Sequence, residues 1–354
     1  MKILDLPHRA VDYLCTVNGL CDIYEWKTGK RIPEELIHYS STGFMLLSQK
    51  RANPPKMISL ASCDIGRRQY ELWKDLMGYN IIADEGKEFK GTLERIRELI
   101  DKEIPVIIFG LDMYHLEYQE KFYHKMHIPG HIILMVGYDE NYIYIYDNSK
   151  EGIHKVSYDD LKLAWEDGYL SISKKNAYFG IQFTNTNYNR KNVLETAFKN
   201  NANSYLYSNL SFMGVRGFER FIKEFATWNT VFNKDTLRKI YIHLITYTGS
   251  VLPGLPKELD ENNPEIDNNP HKASRDRLAK ALKENCNELG NENWKVASKL
   301  YEESGSIIEK IIQGFVEDVI ENSYNNTNKY IELFKNLKCV EEKAQECFLN
   351  IGSF

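Results

Sequence analysis

Cysteine is scarce: six thiols (Cys15, Cys21, Cys63, Cys286, Cys339 and Cys347) lie among 354 residues, with no Cys-x-x-Cys pair. That excludes a disulfide-stapled scaffold and fits ordinary thiols in a reducing cytosol. Long apolar runs are missing too. The longest, Ile132 to Val136, falls far short of the ~18–20 residues that span a bilayer. The opening residues, Met1 to His8, carry no basic stretch followed by an apolar run, so no secretory signal is expected and the protein reads as cytoplasmic. An excess of one charge is also absent. The 45 Lys+Arg against 50 Asp+Glu leave a net charge of −5, which argues against a dedicated nucleic-acid binder. With 43% hydrophobic and 27% charged residues, disorder and collagen-like repetition are excluded as well. At about 150 residues per domain, the length suggests two domains.

What is present divides in two. The first half mixes helices and strands. Apolar residues Val17, Leu20, Ile23 and Tyr24 follow helical spacing up to Thr28-Gly29, and Pro33-Glu34-Glu35 opens a second short helix. Asp64 to Met77 and Thr92 to Lys102 are further helices, and Ile104 to Gly110 is a buried strand. His131–Tyr138 and Tyr142–Tyr146 read as strands joined through Asp139-Glu140-Asn141, a hairpin signal. A strand near Ile153 to Val156 precedes a helix opened by Ser157 that buries Leu161 and Trp165, and Tyr178 to Phe183 closes the sheet. Thr184 to Asn192 looks like a linker, and the remainder is helical apart from Leu252–His271, a loop or lid with four prolines. The expected division is a domain at 1–185 followed by a helical domain at 192–354.

Cys15 is the sharpest chemical candidate. It stands where a helix begins, and there the unpaired N–H groups and helix dipole favour a thiolate and can hold an oxyanion. The competing reading is a small buried apolar residue. Cys63, before Asp64, is the rival nucleophile, Cys21 lies mid-helix, and Cys286, Cys339 and Cys347 fall on helical faces. His131 heads a strand, where a base is held rigidly and stays accessible. The next strand ends in Asp147-Asn148, so either residue can orient the imidazole across the hairpin. His115, His124, His127 and His131 are close enough in sequence to suggest metal ligands, but Pro129-Gly130 breaks any helix that would align them.

These residues resemble a known family. Pro105–Ile108, Leu111–Tyr118, Gly130-His131, Val136–Asp139, Tyr146-Asp147, Leu161 and Ala164-Trp165 together resemble the N-terminal domain of the butirosin biosynthesis protein H family. Thr248-Gly249, Arg275, Leu278, Leu282, Trp294 and Tyr301 are similar, in order, to its second domain. The resemblance implies an α+β, papain-like fold followed by a helical domain. It implies Cys15 as nucleophile, His131 as base, Asp147 (or Asn148) as orienting residue, and Asp112 and Tyr114 as substrate-binding residues. Relatives often carry His immediately before the cysteine and Pro after the acid; here Leu14 and Asn148 stand there.

The activity so implied is acyl transfer in natural-product assembly, similar to the transglutaminase-like amide synthase of closthioamide biosynthesis. Cys15 takes an acyl group from a carrier-protein thioester, and an amine resolves the acyl-enzyme to an amide. The partners implied are an acyl or peptidyl carrier protein and a small amine. The donor rides on the carrier's phosphopantetheine, and no cofactor of the enzyme's own is expected. The helical domain and the 252–271 loop are expected to shield the site from water, and the amphipathic helices suit a homodimer. A peptidase or amidase would use the same residues with water as acceptor. A non-catalytic protein would use the same cavity for a ligand.

Overall fold

The structure is a computed structural model that describes residues 2–11, 14–41, 43–60, 67–168, 173–185, 189–249, 259 and 275–349. In chain order its elements are β1 (Lys2–Ile3), α1 (Cys15–Thr28), α2 (Glu34–Tyr39), β2 (Met45–Ser48), β3 (Lys56–Ser59), α3 (Arg67–Met77), β4 (Tyr79–Asp84), α4 (Phe89–Asp101) and β5 (Val106–Leu111). They continue with β6 (His131–Tyr138), β7 (Tyr142–Asp147), β8 (Lys150–Ser157), α5 (Tyr158–Asp167), β9 (Ala177–Phe183), α6 (Arg190–Leu206), α7 (Gly214–Phe225) and α8 (Trp228–Val231). The last are α9 (Lys234–Gly249), α10 (Arg275–Leu289), α11 (Glu292–Glu321) and α12 (Thr327–Leu349). No described helix is long and apolar enough to cross a membrane.

Two compact units emerge, and they differ from a single cut near residue 185. The first is Met1–His38 with Asp64–Val193; the second is Tyr39–Cys63 with Leu194–Phe354. The physical reason is the β2–β3 hairpin. It buries Phe44, Leu46, Ile58 and Leu60 in the core of the helical unit, with Phe44 stacked on Phe218 at 4.2 Å. Its strands are short and their apolar residues few, so their destination cannot be read from their spacing.

The first unit is α+β. Its antiparallel sheet runs β4-β9-β5-β6-β7-β8, with β1 also paired to β6. The run His131–Val136 is buried throughout, as a central strand's continuous apolar residues require. At Gly137 the β1 backbone comes so near that a Cβ would lie 2.5 Å from the Lys2 carbonyl, so glycine is needed there. α1 is buried all round from Val17 to Tyr24 and lies directly against β6, where a Cβ on Gly19 would meet Leu134 at 3.1 Å. The linker read at 184–192 already contains the start of α6.

The second unit packs α7, α9, α11 and α12 around an aromatic core that includes Phe221, Phe225, Tyr241, Phe315, Tyr330 and Phe334. Beside it, Arg275 is fully buried and donates from Nε to Glu341 Oε1 at 2.8 Å and from Nη2 to the Leu60 carbonyl at 2.8 Å. Ser304 Oγ donates to the same Glu341 oxygen. Glu341→Ala removes the charge partner of a buried guanidinium. That variant is expected to lose about 3–5 kcal/mol, seen as a lower urea midpoint by circular dichroism; an unchanged midpoint would show that the pair does not hold the unit.

Candidate active site

Leu14 closes the N-terminus of α1 with its carbonyl, which accepts from Val17 N and Asn18 N at 3.1 Å each. Cys15 is therefore the first helical residue, half-buried, with the first N–H groups of the helix beside it. Those groups have no intrahelical acceptor, so they and the dipole favour negative charge at that point.

His131 starts β6 immediately after Gly130, whose φ of 90° turns the chain into the strand. β6 pairs with β7 in a register that sets Leu134 opposite Tyr146. Asp147 then lies diagonal to His131 and on the same face of the sheet, within reach of an imidazole. The contact is made: His131 Nε2 donates to Asp147 Oδ2 at 2.5 Å, both residues being buried. An ionised carboxylate only accepts, so Nε2 carries the proton and Nδ1 is left for Cys15. The Cys15 sulfur is near enough to His131 to act on it by hydrogen bonding and by charge.

Asp147 is held from every side. Oδ2 also accepts from Tyr118 Oη at 2.7 Å and Gln119 Nε2 at 3.1 Å. Oδ1 accepts from Ser149 N at 2.9 Å and Ser149 Oγ at 2.8 Å. Burial by itself would raise this carboxyl; the His131 charge and hydrogen bond, then Tyr118 and Ser149, hold it well below the usual carboxylate range. Burial likewise opposes the His131 imidazolium, but Asp147 and then Cys15 outweigh it and raise the group to about 10.

Of the two orienting residues read from the sequence, the geometry selects Asp147. Asn148 makes no hydrogen bond to His131; its Nδ2 donates to the Val11 carbonyl at 3.2 Å, and it lines a small cavity together with Cys15. Asp112 and Tyr114 are not brought to the cluster: among the described residues, neither bonds to Cys15, His131 or Asp147. Asp112 closes the β5–β6 connection instead, accepting from Tyr114 N at 3.0 Å, Ile128 N at 2.9 Å and His127 Nδ1 at 2.7 Å. Tyr114 stacks on His127 at 4.1 Å and lies 5.2 Å from His124. A short polar residue that begins a long connection serves that connection first, a demand the sequence pattern does not display. Among the described residues no group of three His, Cys, Asp or Glu is arranged to hold a metal ion. Cys21 is fully buried, and burial pushes its thiol well up; Cys63 lies outside the described residues.

Three partners of Asp147 went unread in the sequence. Ser149 carried a usable signal, since Asp147-Asn148-Ser149 is an Asx-turn composition. Tyr118 and Gln119 carried none, because they come from the distant β5–β6 connection.

The two shifts fix the sign of the pair's contribution to stability. Against unfolded values of about 3.9 for Asp and 6.5 for His, it is whole between them. It fades as pH rises from ~6.5 through about 10, and again as pH falls below ~4 toward the depressed Asp147 value. Thermal melts of the wild type and Asp147→Asn across pH are therefore expected to differ most near pH ~5–6 and to converge at both extremes. A difference constant with pH would contradict the ion pair.

Residues 14–148 match the family model described as "Butirosin biosynthesis protein H, N-terminal". Residues 159–248 match a domain of unknown function, DUF4872. No curated protein matches the chain. A solved structure described as a putative C39-like peptidase from Bacillus anthracis is 17% identical, with a TM-score of 0.34, covering 52% of this chain and 98% of its own. In this unit Cys15 stands at the head of a buried helix, and His131 and Asp147 lie on neighbouring antiparallel strands. The chain is thus similar to the butirosin biosynthesis protein H N-terminal domain over residues 14–148 and to a domain of unknown function over residues 159–248.

Proposed function

We propose that the chain is a cysteine acyltransferase of natural-product biosynthesis, moving an acyl group from a carrier-protein thioester through Cys15 to an amine. The observation that supports this most directly is the Cys15–His131–Asp147 array, with the acid fixed by five hydrogen bonds. The matched family's printed name ties its namesake to butirosin biosynthesis, which favours a biosynthetic role over general proteolysis.

In the first step the Cys15 thiolate attacks the thioester carbonyl. The new C–S bond forms, the phosphopantetheine thiolate leaves, and His131 gives that sulfur its proton. The oxyanion formed on the way lies at the N-terminus of α1, where N–H groups can donate to it. Acylation also removes the Cys15 charge, one of the influences that raise His131. The imidazole therefore releases its proton more readily in the acyl-enzyme, when a base is needed. In the second step the amine nitrogen attacks the acyl carbonyl, His131 takes the amine proton, and the Cys15 thiolate leaves. The amide is released and the enzyme returns to its starting state. Asp147 stays ionised throughout and holds the ring. The enzyme brings no cofactor of its own; the donor arrives on an acyl or peptidyl carrier protein, in the cytoplasm.

Intact-protein mass spectrometry with an acylated carrier protein tests this. The wild type is expected to gain the acyl mass, and added amine should discharge it as amide. Cys15→Ala is expected to load nothing and to lose turnover by a factor of about 10⁴ or more. No adduct on the wild type would overturn the assignment. Discharge only as free acid in the presence of amines would make the protein a hydrolase.

A further inference from the structure

A second buried histidine lies against the same helix. His8 belongs to the segment that leads into Cys15, and its side chain is only 3% exposed. Nδ1 donates to Asp22 Oδ2 at 2.7 Å and Nε2 donates to the Lys150 carbonyl at 3.0 Å, while the ring stacks on Tyr146 at 4.5 Å and 11°. An ionised carboxylate and a carbonyl are both acceptors, so both contacts exist together only when both ring nitrogens carry protons. Burial pushes the Asp22 carboxyl up, and His8 together with Arg31, whose Nη1 donates to the other Asp22 oxygen at 2.8 Å, opposes that push and favours its charged form.

The two contacts join the two halves of the candidate site. Asp22 lies on α1, two turns beyond Cys15 on the same face. Lys150 is the direct cross-strand partner of Asp147, and Tyr146 is its neighbour in β7. The same lead-in segment is tied to this hairpin twice more, by Ala10 N to Glu151 Oε1 at 3.0 Å and by Val11 O to Asn148 Nδ2 at 3.2 Å. We propose that His8 is a positioning residue: as a doubly protonated imidazolium it bridges the helix that carries Cys15 and the hairpin that carries Asp147, and the site is competent only while that bridge is charged. The inference rests on the proposed role of Cys15 and adds a control that the acyl-transfer reading does not contain.

The groups facing His8 agree in sign. Asp22 faces it from α1, with Arg31 beyond Asp22 and Glu25 and Glu34 on the far side of Arg31; Tyr146, Lys150 and Glu151 face it from the hairpin. Burial disfavours its charge, but Asp22 and then the Lys150 carbonyl and Glu151 prevail and raise it above the ordinary histidine value. The bridge is therefore present at lower pH and is lost as pH rises through the raised value.

Two measurements test it. In protein carrying 15N-labelled histidine, both His8 ring N–H groups are expected at about pH 7, above the ordinary midpoint of ~6.5. A neutral His8 ring there overturns the inference. Iodoacetamide alkylation of Cys15, followed by intact mass across pH, reads the site without any substrate. His8→Gln, which keeps one donor and no charge, is expected to slow alkylation about tenfold near neutrality and to abolish the alkaline step that His8 gives the wild type. Asp22→Asn, which keeps shape and an acceptor, is expected to move that step to lower pH. Variants that melt lower yet alkylate with the wild-type pH profile would reduce His8 to a structural tie and sink the proposal. Failure of the acyltransferase reading looks different: Cys15 and His8 behave as described towards alkylation and pH, but no acyl group loads from the carrier.

Discussion

One buried carboxylate must stay ionised out of contact with water, and the geometry around the thiol depends on it. An unpaired buried carboxylate is unfavourable by several kcal/mol or more, and a lone imidazole does not offset that. Asp147 is held because donors reach it from three places: His131 on the adjoining strand, Ser149 in its own turn, and Tyr118 with Gln119 from the β5–β6 connection. The connection is in turn closed on itself by Asp112, which ties its first residues to Ile128 and His127 near its end. The requirement to keep one charge satisfied thus draws on the whole β5–β6 connection. It also places His131, since a ring bonded through Nε2 presents Nδ1 in only one direction.

The same logic governs α1. The polar residues of a helix buried on all sides must find partners inside the protein. Asn18 donates to the Arg9 carbonyl and to Glu34, and Arg31 links Asp22, Glu25 and Glu34. With Gly19 flush against Leu134, these contacts fix the helix in rotation and in depth. A thiol at its first residue then has a defined position relative to β6, which two flexible surface elements could not give.

Local chemistry is what the sequence displayed well. The helix after Cys15, the buried run headed by His131 and the turn after Asp147 each have a signature within a few residues, so the three central side chains and the α+β first half were legible. What failed was whatever depends on distant pairing. The destination of the β2–β3 hairpin is decided by aromatic residues on α7, and the donors to Asp147 by a connection whose path no periodicity reports. Asp112 shows the limit most clearly. The resemblance implies a substrate-binding role for it, and in the structure both its oxygens accept from backbone and side-chain groups of its own loop, a connection that no periodicity displays.

The two buried histidines of the first unit show how little separates a reactive group from a fixed one. Each is bonded to a buried carboxylate, and for each the carboxylate raises the proton affinity against the opposing effect of burial. The difference lies at the second nitrogen. His8 meets a backbone carbonyl, which accepts a hydrogen bond and carries no charge to change, so its proton answers to pH and not to a reacting neighbour. In the proposed mechanism His131 meets a sulfur whose charge is removed on acylation, so its proton affinity would change with the state of that neighbour. A histidine can carry a proton through a reaction when one of its partners changes charge in that reaction, and in the proposed mechanism only His131 has such a partner.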